Sequence, residues 1–227
     1  MKKILTSILL ISTFSLFSQS IKALYLHKFL SNKKDSIFSF EVNTFSYGYT
    51  YSNKKSIYKL IDAKIKKKDS LLNDKGYYDT YLFETVSINE KYKELIKKIF
   101  LQEYTLYDNN FSIKDNLQNL DWELYNDEQV IKGFKCKKAI STKEKSRITA
   151  WYCEDIPIND GPDRFYGLPG FILKVEIGEF SIIEIDQFKL LNENLKIEPP
   201  LNKSKYITMA EFVKQEIDLF NKKANED

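Results

Sequence analysis

The sequence predicts a mainly β fold of the α+β class. The expected form is a single curved antiparallel sheet, half-barrel-like, with a C-terminal amphipathic helix packed on it. Three observations lead there. Tyrosine and phenylalanine are abundant, at 15 and 16 residues, and both suit a pleated, half-buried surface. Segments with two-residue alternation recur along the chain. One capped segment with an apolar stripe closes the sequence.

The chain opens MKKILTSILLISTFSLFSQS. Lys2 and Lys3 form a positive start, residues 4–17 carry no charge, and Ser18-Gln19-Ser20 has the small-x-small pattern of a processing site. Residues 1–20 are therefore expected to be a signal peptide cleaved near Ser20. The alternative, an N-terminal anchor, needs about 20 apolar residues to span a bilayer, more than this run supplies. No later stretch is long and apolar enough to be a transmembrane segment. Export implies a periplasmic, outer-membrane-associated or extracellular location. Removing the leader takes two lysines from 35 basic residues and leaves 33 against 32 acidic ones. That near-neutral balance argues against a nucleic-acid partner, which would need a basic surplus on one face. The densest basic run, Lys64, Lys66, Lys67 and Lys68 before Asp69, reads as a solvated loop or strand end, or as a contact for anionic lipid or saccharide. With no linker, repeat or low-complexity segment, residues 21–227 are expected to form one domain around one core.

Phe45, Tyr47, Tyr49 and Tyr51 alternate with Ser46, Gly48, Thr50 and Ser52, a two-residue period. Phe38, Phe40 and Val42 alternate in the opposite phase, which predicts a turn or bulge at Asn43-Thr44. Residues 56–61 and 77–88 read as further strands. Tyr92, Leu95, Ile96, Ile99 and Phe100 fit helical spacing and suggest a short helix, although residues 99–107 equally fit a strand. Strand-like segments follow at 121–126, 132–141, 147–155, 170–178 and 179–190. Thr208 and Glu211 have capping-box spacing, and Met209, Phe212, Val213, Ile217 and Phe220 form the stripe of the terminal helix.

Cys136 and Cys153 are the only cysteines. Their positions sum to 289, which centres a hairpin between Glu144 and Lys145, inside the polar break Ser141–Ser146. Opposed residues of an antiparallel pair lie within disulfide reach, so an exported chain is expected to bridge them. Two free thiols are the alternative.

Glycine and proline, 7 and 5 in all, are concentrated between residues 150 and 176. The motif positions there are Gly161, Pro162, Gly167, Leu168, Pro169 and Gly170. Leu168 precedes proline and is pushed to an extended conformation. Pro169-Gly170 suits the centre of a type II turn, with positive φ expected at Gly170. Asn159-Asp160-Gly161-Pro162 reads as an earlier turn. Two functional readings stay open: a structural loop that starts the next strand in register, or a recognition loop presenting Asp160, Arg164 and Tyr166. Arg164 is alternatively expected to be buried against Asp155 or Asp160.

The run GFKCKKA (133–139), then Arg147, AWYCEDIP (150–157), Asp160-Gly161-Pro162 and GLPGFIL (167–173) resembles the GLPGLI family of exported Bacteroidetes proteins. Phe171 stands where the name-giving motif has leucine. The specific resemblance covers residues 113–177. It implies an envelope role without a defined activity, and association with TonB-dependent outer-membrane receptors. The layout also resembles lipoprotein-carrier half-barrels, at the level of fold alone.

Catalytic residues are not evident. His27 is the only histidine, which disfavours a histidine-based triad, and the ligands of a zinc site are lacking. Glu154 and Asp155 are adjacent on a strand and point to opposite faces. No nucleotide-binding motif or cofactor signature is present. The sequence therefore favours a non-enzymatic binding or carrier protein for an apolar ligand or an envelope polypeptide. The alternatives are an accessory module of a receptor system and a carboxylate-dependent hydrolase. An open apolar concavity would favour the carrier. A filled core with an exposed loop patch would favour the accessory module.

Overall fold

A computed structural model describes residues 20–29, 43–64, 86–106, 108–144, 146–179 and 181–223. Residues 1–19 of the expected leader, the 38–42 alternation, the lysines at 66–68 and residues 77–85 lie outside the described residues. The strands are β1 (Ser20–Phe29), β2 (Asn43–Ser52), β3 (Lys55–Lys64), β4 (Val86–Glu94), β5 (Ile99–Leu106) and β6 (Asn109–Asn116). They continue with β7 (Glu123–Ile131), β8 (Phe134–Ser141), β9 (Ile148–Cys153), β10 (Phe171–Ile177), β11 (Ser181–Leu191) and β12 (Tyr206–Ile207), followed by helix α1 (Met209–Lys223).

All twelve strands form one sheet in the order β12-β6-β5-β4-β3-β2-β1-β11-β10-β9-β8-β7. The chain lays down β1 to β6 as one meander and β7 to β11 as a second, whose last strand returns beside β1. Every described pairing is antiparallel except β12 with β6, which is parallel. The sheet is curled and open: β7 and β12 are its two ends.

The alternation in β2 is realised, with Phe45, Tyr47, Tyr49 and Tyr51 all buried. They pack with Tyr25, Tyr58, Phe171 and Ile183 in the main core. No turn falls at Asn43-Thr44, because both residues belong to β2. The other half of the expected phase change, residues 38–42, lies outside the described residues. The irregularity between Ser46 and Tyr47 is an extra residue, Ile61, on the β3 side. The helix suggested for residues 92–100 is not formed. β4 runs to Glu94, a turn follows with Lys98 at φ 53°, and β5 begins at Ile99. The apolar spacing was misleading because β4 buries residues on both faces. Lys93 lies in the main interior, while Tyr92 packs on the other side with Leu101 and Ile197.

The capping box is realised reciprocally. Thr208 Oγ1 accepts from the Glu211 amide at 3.2 Å, and Glu211 Oε2 accepts from the Thr208 amide at 2.7 Å. Phe212 is buried against Leu106, Phe111 and Ile113. Val213 and Ile217 of the expected stripe remain 44% and 54% exposed, and Leu219 takes part in the packing instead.

The β8–β9 ladder has the expected register: Lys137 faces Tyr152, Lys138 faces Trp151 and Ala139 faces Ala150. The disulfide expected from that register is nevertheless absent, and Cys136 and Cys153 are both buried free thiols. The β8–β9 pairing ends at Lys137–Tyr152, one position short of the cysteines. On their other flanks Cys136 pairs with Gln129 of β7 and Cys153 with Phe171 of β10. Burial, reinforced by the neighbouring Cys153, pushes the Cys136 thiol up to about 12. Both thiols should therefore resist iodoacetamide in the native protein and react in denaturant without reductant. Mass spectrometry showing no alkylation under the second condition would contradict the structure.

Candidate functional site

The β9–β10 connection, residues 154–170, starts and ends near the middle of the second meander, yet it reaches β4. Five strand spacings separate β10 from β4 in the sheet order, about 24 Å if the sheet were flat. The contact exists because the sheet curls around the connection, which fills the concave side. Ile156, Ile158, Phe165 and Leu168 are buried there among the β2 tyrosines and Phe171.

The anchor is Lys93. Its ammonium donates to Asp160 Oδ1, to the Gly161 carbonyl at 2.8 Å and to the Phe165 carbonyl at 3.0 Å. An ammonium has three protons, and all three are used. Asp160 Oδ2 accepts from the Tyr49 hydroxyl at 3.0 Å, and the Asp160 carbonyl accepts from the Ile172 amide at 3.0 Å. The exposures of Lys93 and Asp160 are 1% and 0%. Burial lowers the Lys93 pKa, and Asp160 opposes that shift. Burial beside Asp160 likewise holds the Tyr49 phenol well above its ordinary value.

Asp160 is thus an internal anchor, which corrects its expected place on a recognition surface. A buried carboxylate in this loop needs a cation, and the lysine two strands away from Tyr49 supplies it. Arg164 does lie at the surface, but its partner is neither Asp155 nor Asp160. Its guanidinium holds the Glu144 carboxylate bidentately at 3.1 and 2.6 Å. Tyr166 lies nearby, its carbonyl accepting from Trp122 Nε1 at 2.9 Å and its hydroxyl donating to the Leu117 carbonyl at 3.3 Å. Lys143 pairs with Asp121 at 2.9 Å. Arg164, Tyr166, Glu144, Lys143, Asp121 and Trp122 therefore form one mixed-charge patch where the loop meets the β8–β9 turn.

Gly170 was expected at positive φ, but positive φ falls at Gly167, at 91°. Gly170 is required for closeness instead. A β-carbon there would overlap the Cys153 carbonyl oxygen and lie 2.9 Å from the Glu154 amide nitrogen. Gly161 is similarly tight, with an added β-carbon 2.6 Å from Ile172 Cβ. The loop backbone thus packs directly on β9 and β10. Pro162 and Leu168 are buried, whereas Gly167 and Pro169 face solvent.

A second polar group lies beside the anchor. Lys91 pairs with Asp163 Oδ2 at 2.7 Å, while Asp163 Oδ1, Tyr58 Oη and His27 Nε2 are shielded from solvent without hydrogen-bond partners. Burial would raise the Asp163 carboxyl, but Lys91 and Arg164 outweigh it and hold the group well below the carboxylate range. Burial takes His27 down to about 4, with Lys91 and Arg164 acting in the same sense against Asp163.

Sequence reasoning missed Lys91, Lys93 and Tyr49 as partners of this loop. Lysine is almost never fully buried unless paired, so nothing local distinguishes these two from the other lysines. Asp160 lies between Asn159 and Gly161 with Arg164 four residues on, so nothing local pointed to a lysine of β4 as its partner. Among the described residues, no group of three His, Cys, Asp or Glu side chains is placed to hold a metal. No helix among them is long and apolar enough to cross a membrane.

Fold and site together define an open, curled β-sheet domain plugged by its own loop. Residues 96–174 match the family described as Protein of unknown function (Porph_ging). The chain is also similar in fold to the solved structures of PNGF-II in the C2 and P21 space groups. Each match has a TM-score of 0.54 and 15% identity, and covers 86% of this chain and 32% of the other. The chain thus spans about a third of those structures. No curated protein matches its sequence.

Two outcomes test the site. Lys93→Met strands a buried carboxylate and should cost about 3–5 kcal/mol in urea unfolding. Adding Asp160→Asn should restore part of that loss, because no net charge is then left buried. His27 has a lowered folded pKa, so its contribution is complete above about pH 6.5 and is lost as pH falls toward about 4. The loss should be on the order of 2–3 kcal/mol. His27→Gln should flatten the stability profile in that window.

Proposed function

We propose that the chain is an exported, non-catalytic docking module of the cell envelope, of the GLPGLI type, which binds an envelope polypeptide through its outer surface. The observation that carries this is the filled concave face. The space a half-barrel carrier would offer an apolar molecule is occupied by Ile156, Ile158, Phe165 and Leu168. Two open grooves, of about 550 and 340 Å³, lie instead beside β6 and α1, with polar side chains such as Asn110, Gln215 and Asp115 among their linings.

The leader-like N-terminus supports export. The GLPGLI assignment is supported by the motif at residues 167–173, which lies inside the segment that matches the family of unknown function. A hydrolase would need two carboxylates free to act across a cleft. Asp160 and Asp163 are each held by a lysine, and Glu144 and Glu154 are paired with Arg164 and Lys137. The surface left for recognition is the patch around Arg164 and Tyr166, beside a TonB-dependent receptor or another envelope polypeptide.

A photo-crosslinking residue at Lys143, inside the patch, should capture a polypeptide from envelope fractions. The same residue at Leu201, which is 88% exposed near the opposite end of the sheet, should not. Arg164→Ala should reduce capture at a stability cost on the order of 1–2 kcal/mol, because its ion pair with Glu144 is only partly exposed and its charge also faces the buried Asp163. Equal capture from both positions, or capture unaffected by Arg164→Ala, would refute the reading.

A further inference from the structure

The two ends of the sheet are finished differently. At one end β6 is covered: β12 pairs with Ser112 and Ile113, Ser204 Oγ accepts from the Ser112 amide at 2.8 Å, and Asp115 caps the Met209 amide at 2.6 Å. Helix α1 then packs Phe212 over Phe111 and Ile113. At the other end β7 pairs, among the described residues, only with β8. It is nine residues long, and all but Ile131 are exposed.

An exposed strand edge carries a row of unpaired amides and carbonyls that can template another strand. Proteins commonly blunt such edges with proline, charged side chains (lysine above all), bulges or very short strands. The β7 sequence ELYNDEQVI has no proline, lysine or arginine. It does have an irregularity between Tyr125 and Glu128, which divides the edge into two short segments. Leu124, at 56% exposure, lies on one and Val130, at 69%, on the other.

Charge selects the occupant. Glu123, Asp127 and Glu128 make the strand purely acidic, so antiparallel pairing of two copies would bring six carboxylates into one seam. Opposite charges across adjacent strands are favourable and like charges are not. The existing Lys135–Glu128 pair is solvent-exposed, and in the Lys138–Asp127 pair the carboxylate is the exposed partner, so a cation on an incoming strand can share both carboxylates. β7 also begins one residue after Trp122, so its edge is continuous with the Arg164–Tyr166 patch.

We infer that β7 takes up an extended, lysine- or arginine-bearing polypeptide segment as a thirteenth strand, held by main-chain hydrogen bonds and by the carboxylates of Glu123, Asp127 and Glu128. This is β-strand addition, and it rests on the docking reading above while naming the partner's conformation and charge.

The test uses the full chain and a fluorescent nonapeptide that alternates lysine with valine or threonine. Anisotropy should show saturable binding. N-methylation of alternate peptide amides should weaken it at least about tenfold, as should Glu123→Lys/Glu128→Lys in the protein. Leu201→Ser, near the opposite end of the sheet, should leave peptide binding within about twofold. The inference is overturned by absence of binding up to about 1 mM or by equal binding of the N-methylated peptide. Binding indifferent to the charge reversal would overturn it too, as would a dimer in sedimentation that excludes the peptide. If the peptide fails while Lys143 still crosslinks a polypeptide, strand addition falls and the docking module stands. If both fail, the docking reading falls as well.

Discussion

The buried pair of Lys93 and Asp160 joins the two meanders of this sheet across its concave side. A lysine alone in that interior would be prohibitively desolvated, and so would an aspartate. Together they are fully satisfied: the ammonium by a carboxylate and two carbonyls, the carboxylate by the ammonium and Tyr49. Such a pair contributes less to net stability than its Coulomb energy suggests, because both ions must be dehydrated. Its effect is on geometry. The three ammonium donors reach three loop oxygens from β4 at once, which ties the path of the loop to the curl of the sheet.

The tyrosines extend that constraint outward. Tyr25 donates to the Ile172 carbonyl at 2.6 Å and packs edge-on against Tyr49 and Tyr58. Tyr47 stacks on Tyr58 with centroids 4.4 Å apart. Each ring offers a large apolar face for burial and a hydroxyl that needs a partner. Rings of this size can fill a concave sheet; one of their hydroxyls engages the loop directly at Asp160, and another holds the start of β10 at Ile172. An interior filled in this way has no room for cargo, which is why recognition is sought on the outside. There the motif residues divide by side: Asp160, Pro162, Phe165 and Leu168 inward, Arg164, Tyr166 and Pro169 toward the surface.

Much of this was legible in the residues. The alternation of β2, the capping box at Thr208 and Glu211 and the β8–β9 register are local patterns, set by backbone periodicity and short-range hydrogen bonding. The glycines marked the loop correctly, although the reason at Gly170 was different. Local turn chemistry suggested positive φ, whereas the actual demand is the approach of the Cys153 backbone, which no short window contains. The expected disulfide failed for a related reason. The register predicted which residues face each other, but pairing between the two strands stops before it reaches the cysteines.

The sequence by itself determined the class of fold, the strand periodicity, the terminal helix and the position of the shaped loop, because each depends on residues within one turn or one hairpin of one another. The tertiary structure decided which charges are buried, which face of the loop is available and which sheet edge is left open. Those outcomes depend on contacts between residues far apart in the chain, Lys93 with Asp160 above all. The cost of burying a charge is set by everything that surrounds it, and that surrounding exists only once the sheet has curled.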